Sequence, residues 1–337
     1  MSNAPLRRDL PKVGIVGAGQ VGSALAYACL IRDTAPIISL YDIDKLRVDA
    51  QVADLAHGSI FAEPEVIGGA DVSSMRDCDV IVITSGAPQK PGQSRLGLEL
   101  DMELHTAAAS SAVLAGINAK IIADVMPKML EVSPDALYVI VANPCDVLAV
   151  VAQKVSGLPT NRVFATGTGL DTARLRHLIA RRAHVRERNV EAVMAGEHGD
   201  TEFALWSSAR IGVTPILEWT DKQGNRPFTD ASTNEIAKDV ADAAYQVIAG
   251  KGSTNYAIGL SGSFLLDQLL SATPSMLPVS SILDDYYGIS DVALSVPTLI
   301  SNQGIVRPIE VPMTDREHQE LTASANVLKD TIKSIGY

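Results

Sequence analysis

His198 stands in "AGEHGDTEF", between two glycines and two acids. Imidazole is the side chain whose unperturbed charge change falls near neutral pH, so this position could move a proton. A lone histidine is more often structural. A second stretch, "GLDTARLRH", strengthens the chemical reading, because it sets Asp171 and Arg174 three residues apart. On a helix that spacing shares a face. A carboxylate holding histidine Nδ1–H fixes the tautomer and stabilises the imidazolium. A guanidinium beside it offers a planar fork for a carboxylate. Taken alone, the Asp171/Arg174 pair reads equally as a helix-surface ion pair.

Two further stretches carry chemistry. "GAGQVG", residues 17–22, matches G-x-G-x-x-G between a strand and a helix, and Asp42 closes the next strand twenty residues later. Gly17 permits the tight turn, Gly19 lets backbone approach a pyrophosphate, and Gly22 allows close helix–strand packing. The phosphates then lie at the positive end of a helix. Asp42 can accept from ribose hydroxyls and would repel a 2′-phosphate, which selects NAD over NADP. "VANPCD" places Asn143 just past a strand's C-terminal end, where ligands collect in open α/β sheets; a plain Asn-Pro turn is the competing reading.

These residues need a frame. Buried-strand patterns at 13–16, "IISLYDID", "DVIVITSG" (79–86) and "ALYVIVANP" (136–144) alternate with helical ones. Such alternation predicts a doubly wound parallel sheet with helices on both faces. After "SGLPTNRV" the pattern changes. A helix over "DTARLRHLIARRAHV" precedes a strand over "NVEAVMAG", and a long amphipathic segment covers roughly 231–249. "DVALSVPTLISNQGIVRPIEVPM" reads as antiparallel strands turning at Asn302-Gln303-Gly304. A last helix opens with Thr314 and Glu317 in capping-box spacing and aligns Leu321, Leu328, Ile332 and Ile335. The boundary falls near Pro159, giving a dinucleotide-binding domain over 12–159 and a second domain, α/β with antiparallel strands, over 160–337.

Composition narrows the class. Of 337 residues, 47% are hydrophobic and 20% charged, an ordinary globular balance. A formal charge of −11 and 4% aromatic residues argue against nucleic-acid binding. No apolar run is long enough for a membrane span. Cys29, Cys78 and Cys145 form neither a CxxC nor a metal-ligand cluster. They point to reduced thiols in the cytoplasm, with no metal site.

In chain order, "GAGQVG", "TSGAPQKPGQSR", "ANPCD", "GTGLDTARLR", "GEHGDTE" and "KGSTNYAIG" resemble the motifs of the L-lactate/L-malate dehydrogenase family, in its bacterial form, from about Lys12 to the C-terminus. The resemblance implies a Rossmann domain followed by an α/β catalytic domain, in a homo-oligomer that is a dimer or a tetramer of dimers. It implies reversible, NADH-dependent reduction of pyruvate to L-lactate, as in glycolysis and fermentation. His198 would be the acid/base and Asp171 its partner. Arg174 would clamp the substrate carboxylate. Arg95, on a mobile loop, would polarise the reacting carbonyl. Asn143 would bond near the reacting oxygen, and Thr254 and Ile258 would border substrate and nicotinamide. Gly17, Gly19, Gln20, Val21, Gly22, Asp42, Gly86, Ala87, Asn143 and Ile258 would hold NAD.

Gln89 occupies the family's discriminating position. Malate dehydrogenases carry arginine there to pair a second carboxylate, so a neutral glutamine implies pyruvate and lactate. Two features depart from the pattern. The Arg95–Asn143 span is longer than in the family, with the surplus within 99–117, which reads as helix continuous with the next one. Some bacterial members bind fructose 1,6-bisphosphate through an arginine and a histidine. Arg176 matches the first, but Glu191 stands at the second and would repel phosphates. A related 2-hydroxy-acid or malate dehydrogenase would separate in a substrate panel. A non-catalytic NAD-binding protein would have no need to keep Arg95, Asp171, Arg174 and His198 together.

Overall fold

The computed structural model describes residues 10–87 and 107–337. Its first half alternates strand and helix: β1 (Lys12–Val16), α1 (Gln20–Arg32), β2 (Ile37–Tyr41), α2 (Lys45–His57), β3 (Glu65–Gly69), β4 (Val80–Ile83), α3 (Ala107–Val132), β5 (Leu137–Ile140), α4 (Cys145–Ser156) and β6 (Val163–Ala165). The six strands are parallel in the order β3-β2-β1-β4-β5-β6. That is the dinucleotide-binding order, whose crevice lies beyond the carboxyl ends of β1 and β4.

The central strands are near-continuous apolar runs because both faces are covered. One face packs Ile81, Ile83, Tyr138 and Ile140 against Ile122, Met126, Leu148 and Leu328. The other packs Val13, Ile15, Val80, Val82 and Val139 against Leu25, Cys29, Leu265 and Leu266. All three cysteines are buried and none forms a disulfide, and burial pushes the Cys29 thiol up to about 12. Among the described residues no helix is long and apolar enough to cross a membrane.

The second half continues with α5 (Gly169–Ala183), β7 (Val190–Glu191), β8 (Met194–Ala195), β9 (Phe203–Ala204), β10 (Arg210–Ile211), β11 (Thr214–Pro215), α6 (Asp230–Lys251), α7 (Tyr256–Leu269), β12 (Ser275–Ile282), β13 (Ala293–Ser301), β14 (Gly304–Pro308) and α8 (Asp315–Ser334). The antiparallel run β12–β14 does not stand apart. It joins the parallel sheet at β6, through Ala165 opposite Ser280, to make one nine-stranded sheet. The expected turn before Gly304 and the Thr314/Glu317 capping box are both present.

One expected strand is two. "NVEAVMAG" splits into β7, paired with β10, and β8, paired with β9. Side chains of the α5 entrance capture Met194 between them: Thr172 Oγ1 accepts from its N–H at 2.9 Å and Thr168 Oγ1 donates to its carbonyl at 2.7 Å. The chain thereby changes sheets just before His198. Residues 107–117 are helical and continuous with the rest of α3, as expected; 99–106 lie outside the described residues.

Candidate active site

The glycine turn is a shaped cradle. Gly17 has φ +103, and a Cβ there would stand 2.8 Å from Thr84 Oγ1. A Cβ on Gly22 would stand 1.8 Å from the Gly17 carbonyl oxygen. Those two glycines are required by the protein itself. A Cβ on Gly19 would meet nothing within 4 Å, so its need for glycine comes from something that approaches from outside. Behind it, α1 begins with no side-chain cap and no acid in its first turn, leaving the N–H groups around Gln20 and Val21 for an anion. Gln20 also accepts from Ser253, which ties this helix to the segment before α7.

Asp42 lies one residue beyond β2. Its Oδ2 accepts from Ala18 N at 2.7 Å and its Oδ1 from Asp44 N at 2.9 Å. Each carboxylate oxygen keeps a second lone pair, so a ribose diol can still be bound. The open space at Gly19, the uncapped α1 and the oriented Asp42 fit a dinucleotide.

The ends of β4 and β5 face this cradle. Gly86 and Ala87 follow β4, and Asn143 follows β5. Asn143 Oδ1 is buried and meets no donor among the described residues. An orphaned buried acceptor at a strand end marks a place for a ligand donor. Holding these ends is Asn118 of α3, which sequence reasoning missed. Nothing in local spacing signals a contact to residues 25 and 31 positions away.

The proton-transfer group is built on Asp171, which is 0% exposed. Its Oδ2 lies 2.5 Å from His198 Nδ1, and its Oδ1 accepts from Arg174 Nη1 at 2.6 Å. The expected i, i+3 pair is therefore a junction that also holds the histidine ring. Asp146, in the first turn of α4, accepts from His198 N–H at 2.8 Å. Imidazole and backbone are thus held from two helices. Sequence reasoning missed Asp146, although "ANPCD" contains it.

Glu197 and Glu202 complete the surroundings. Glu202 brings a third acid within 4.8 Å of the Asp171 and His198 ligand atoms. Glu197 is buried behind the histidine, and desolvation pushes its carboxyl up to about 7, with Asp146 and Asp200 adding to the rise. Thr201 opposes this by donating its hydroxyl at 2.5 Å and its N–H at 3.2 Å. The Glu197 N–H donates to Ser324 Oγ of α8 at 2.7 Å.

Thr254 lies between α6 and α7, and Ile258 lies in the first turns of α7. Both are partly buried. Gly259 lets α7 approach α1 closely, since a Cβ there would stand 2.7 Å from the Ala24 carbonyl oxygen. Gln89 and Arg95 lie outside the described residues. Arg176 donates to the Ala192 carbonyl at 2.9 Å and lies 3.5 Å from Glu191 Oε2. The guanidinium that matches the phosphate-binding arginine of some relatives thus faces an acid of its own chain.

Residues 11–165 match the NAD binding domain of lactate/malate dehydrogenases, and residues 168–336 match that family's alpha/beta C-terminal domain. The chain is 45% identical over 338 residues to an L-lactate dehydrogenase of Bifidobacterium animalis subsp. lactis, with 100% of each covered. It is 37% identical to an L-lactate dehydrogenase of Synechococcus sp., over 96% of this chain and 99% of that one. Among solved structures, a lactate dehydrogenase from a Medee basin deep-sea metagenome library superposes with TM-score 0.86 at 32% identity, over 97% of this chain and 99% of the other. The minor L-lactate dehydrogenase of Enterococcus mundtii gives TM-score 0.86 at 31% identity, over 96% and 98%. Both family domains matched in order, and relatives similar along their whole length, show that this chain belongs to the lactate/malate dehydrogenase family.

Proposed function

We propose that the protein is an NAD-dependent L-lactate dehydrogenase that reduces pyruvate reversibly to L-lactate. The observation that carries the reading is Asp171, whose two oxygens hold His198 and Arg174 at 2.5 and 2.6 Å. One buried charge thereby orients both a proton donor and a carboxylate receptor. When bound, NADH supplies the hydride that reaches the carbonyl carbon. With Nδ1 held by Asp171, His198 presents Nε2 as the nitrogen that protonates the carbonyl oxygen. Arg174 receives the substrate carboxylate, and Arg95 stabilises charge developing on the oxygen. Thr254 and Ile258 border substrate and nicotinamide. Gln89 supplies a neutral amide where a second carboxylate would otherwise be paired. Residues 12–159 serve the cofactor and 160–337 the substrate. The reaction regenerates NAD at the end of glycolysis, as in fermentation, in the cytoplasm.

The same reading makes the protein a homo-oligomer, a dimer or a tetramer. Tyr27 and Ile31 of α1 share a groove of about 800 Å³ with Ile60 and Phe61, and Phe61 is 89% exposed. Exposed apolar side chains grouped around one groove, with Asp33, Ser59 and Glu63 among them, suit a second copy of the chain. Sedimentation of the protein and of Phe61→Asp tests it; a monomeric parent would overturn this part. The catalytic reading is tested by following NADH oxidation with pyruvate and oxaloacetate side by side. Turnover of pyruvate is expected to dominate. No turnover of either, or a preference for oxaloacetate, would sink it.

A further inference from the structure

β4 and β5 pair in parallel up to Ile83 and Ile140, and Val141 and Ala142 still donate to the Ile83 carbonyl at 2.9 and 3.2 Å. There the backbone ladder ends, short of Ala87 and Asn143. Asn118, 1% exposed, lies between the two departing chains. Its Oδ1 accepts from Ala87 N–H at 2.7 Å. Its Nδ2 donates to the Ala87 carbonyl at 3.3 Å and to the Asn143 carbonyl at 2.6 Å. A carboxamide carries the donor and acceptor of a peptide group, so it continues the ladder as a strand residue would. The fit is close: a Cβ on Gly86 would stand 3.3 Å from both Nδ2 and Oδ1 of Asn118. The helix that carries Asn118 is itself anchored in the core. Ile122, Met126 and Met129, later on the same helix, are 0% exposed.

We propose that Asn118 is a positioning residue for hydride transfer. It fixes the backbones of Ala87 and Asn143, and through Asn143 it aims the buried Oδ1 that meets no donor among the described residues. This rests on the reading of the site as an NADH-dependent dehydrogenase. Asn118 touches neither the glycine turn nor Asp42, which receive the adenosine and pyrophosphate half of the dinucleotide. Loss of Asn118 therefore separates two quantities. Cofactor affinity stays near its normal value, while the geometry of the reacting end is lost.

The experiment compares Asn118→Ala and Asn118→Asp with the parent protein. NADH affinity is read by fluorescence titration, turnover with pyruvate, and the primary isotope effect with 4-deuterated NADH. For Asn118→Ala, NADH affinity is expected to change less than about fivefold. kcat should fall on the order of tenfold to a hundredfold, the size of effect that small displacements of a reacting geometry produce. The isotope effect should rise as the hydride step becomes limiting. Asn118→Asp keeps the acceptor for Ala87 N–H but lacks the donors. Its kcat should recover toward low pH, where a protonated carboxyl can donate to one carbonyl, a limb that Asn118→Ala lacks. If Asn118→Ala does not fold, Asn118→Asp carries the test. An unchanged kcat would overturn the proposal. So would parallel losses of kcat, NADH affinity and Tm with the isotope effect unmoved, which is the mark of a general structural role. If the parent binds NADH but turns over neither pyruvate nor oxaloacetate, the functional reading fails instead.

Discussion

The cofactor end and the proton-transfer end of this molecule are built from different materials. Around Gly17–Gly22 the site is backbone: a left-handed turn, an uncapped helix and an open space over Gly19. Around His198 it is side chains, with Asp146 and Asp171 buried within hydrogen-bonding reach of one residue. A backbone site costs little to keep folded, because its donors are already paid out by strand and helix geometry. A cluster of buried acids is expensive to assemble and sensitive to each member. Substitutions at the two ends should therefore fail in different ways.

The largest effect is expected at His198. His198→Asn should cut turnover by roughly two to four orders of magnitude, the usual consequence of losing a general acid. NADH affinity, measured by fluorescence, should stay close to the parent value. A loss below about fivefold would place proton transfer elsewhere and erase the distinction between the two ends.

Gln89→Arg comes next. In the role proposed for Gln89, a second substrate carboxylate would meet a neutral amide instead of a cation, and leaving such a charge unpaired costs about 3–5 kcal/mol. That corresponds to discrimination on the order of a hundred- to several-thousand-fold. The substitution should raise kcat/KM for oxaloacetate and lower it for pyruvate, since the new cation has no partner when the small substrate binds. If the ratio barely moves, Gln89 does not contact the substrate.

At the cofactor end the effect should be smaller and fall mainly on cofactor choice. The parent should prefer NADH over NADPH widely, and Asp42→Ala should narrow that preference by at least about fivefold, since two unit charges 4 Å apart repel by about 1 kcal/mol even in a water-like dielectric. It should also loosen the turn, because Asp42 accepts from Ala18 N–H at 2.7 Å. Equal use of both cofactors by the parent would remove Asp42 from the ribose.

How much of this was legible follows the same division. The glycine turn could be read because a positive φ and a clash each demand glycine at a fixed position. His198, Asp171 and Arg174 could be singled out by type and spacing. That one carboxylate serves both neighbours could not, because it depends on how α5 meets the chain after β8. Asp146 and Asn118 act on residues 52 and 31 positions away through side chain–backbone bonds, which leave no periodicity. β12 escaped notice because "SMLPVSSI" carries a proline and three serines, weak strand signals that the sheet overrides. "NVEAVMAG" looked like one strand because the hydroxyls that divide it belong to α5.

The smallest expected effect lies behind the histidine, and it bears on stability. Burial lifts the Glu197 carboxyl from 4.5 to about 7. The native state therefore holds a proton that the unfolded chain has already released between those two values. Stability from this group is fully present below about pH 4.5 and is lost as pH rises through 7. At 1.36 kcal/mol per unit the full cost at pH 8 is about 3 kcal/mol, and relaxation of the site reduces it toward 1–2. Glu197→Gln keeps an oxygen for Thr201 and removes the ionisation. It should be more stable than the parent at pH 8, with the gap closing toward pH 4.5. The measurement is denaturant unfolding of both proteins across that range at one fixed protein concentration, since assembly shifts apparent stability. Subtracting the two curves cancels the carboxylates that do not interact with Glu197, and leaves Glu197 with its coupling to Asp146 and Asp200. A difference that stays constant with pH would mean that Glu197 is not protonated in the native state, and the acids around His198 would then be held by pairing alone.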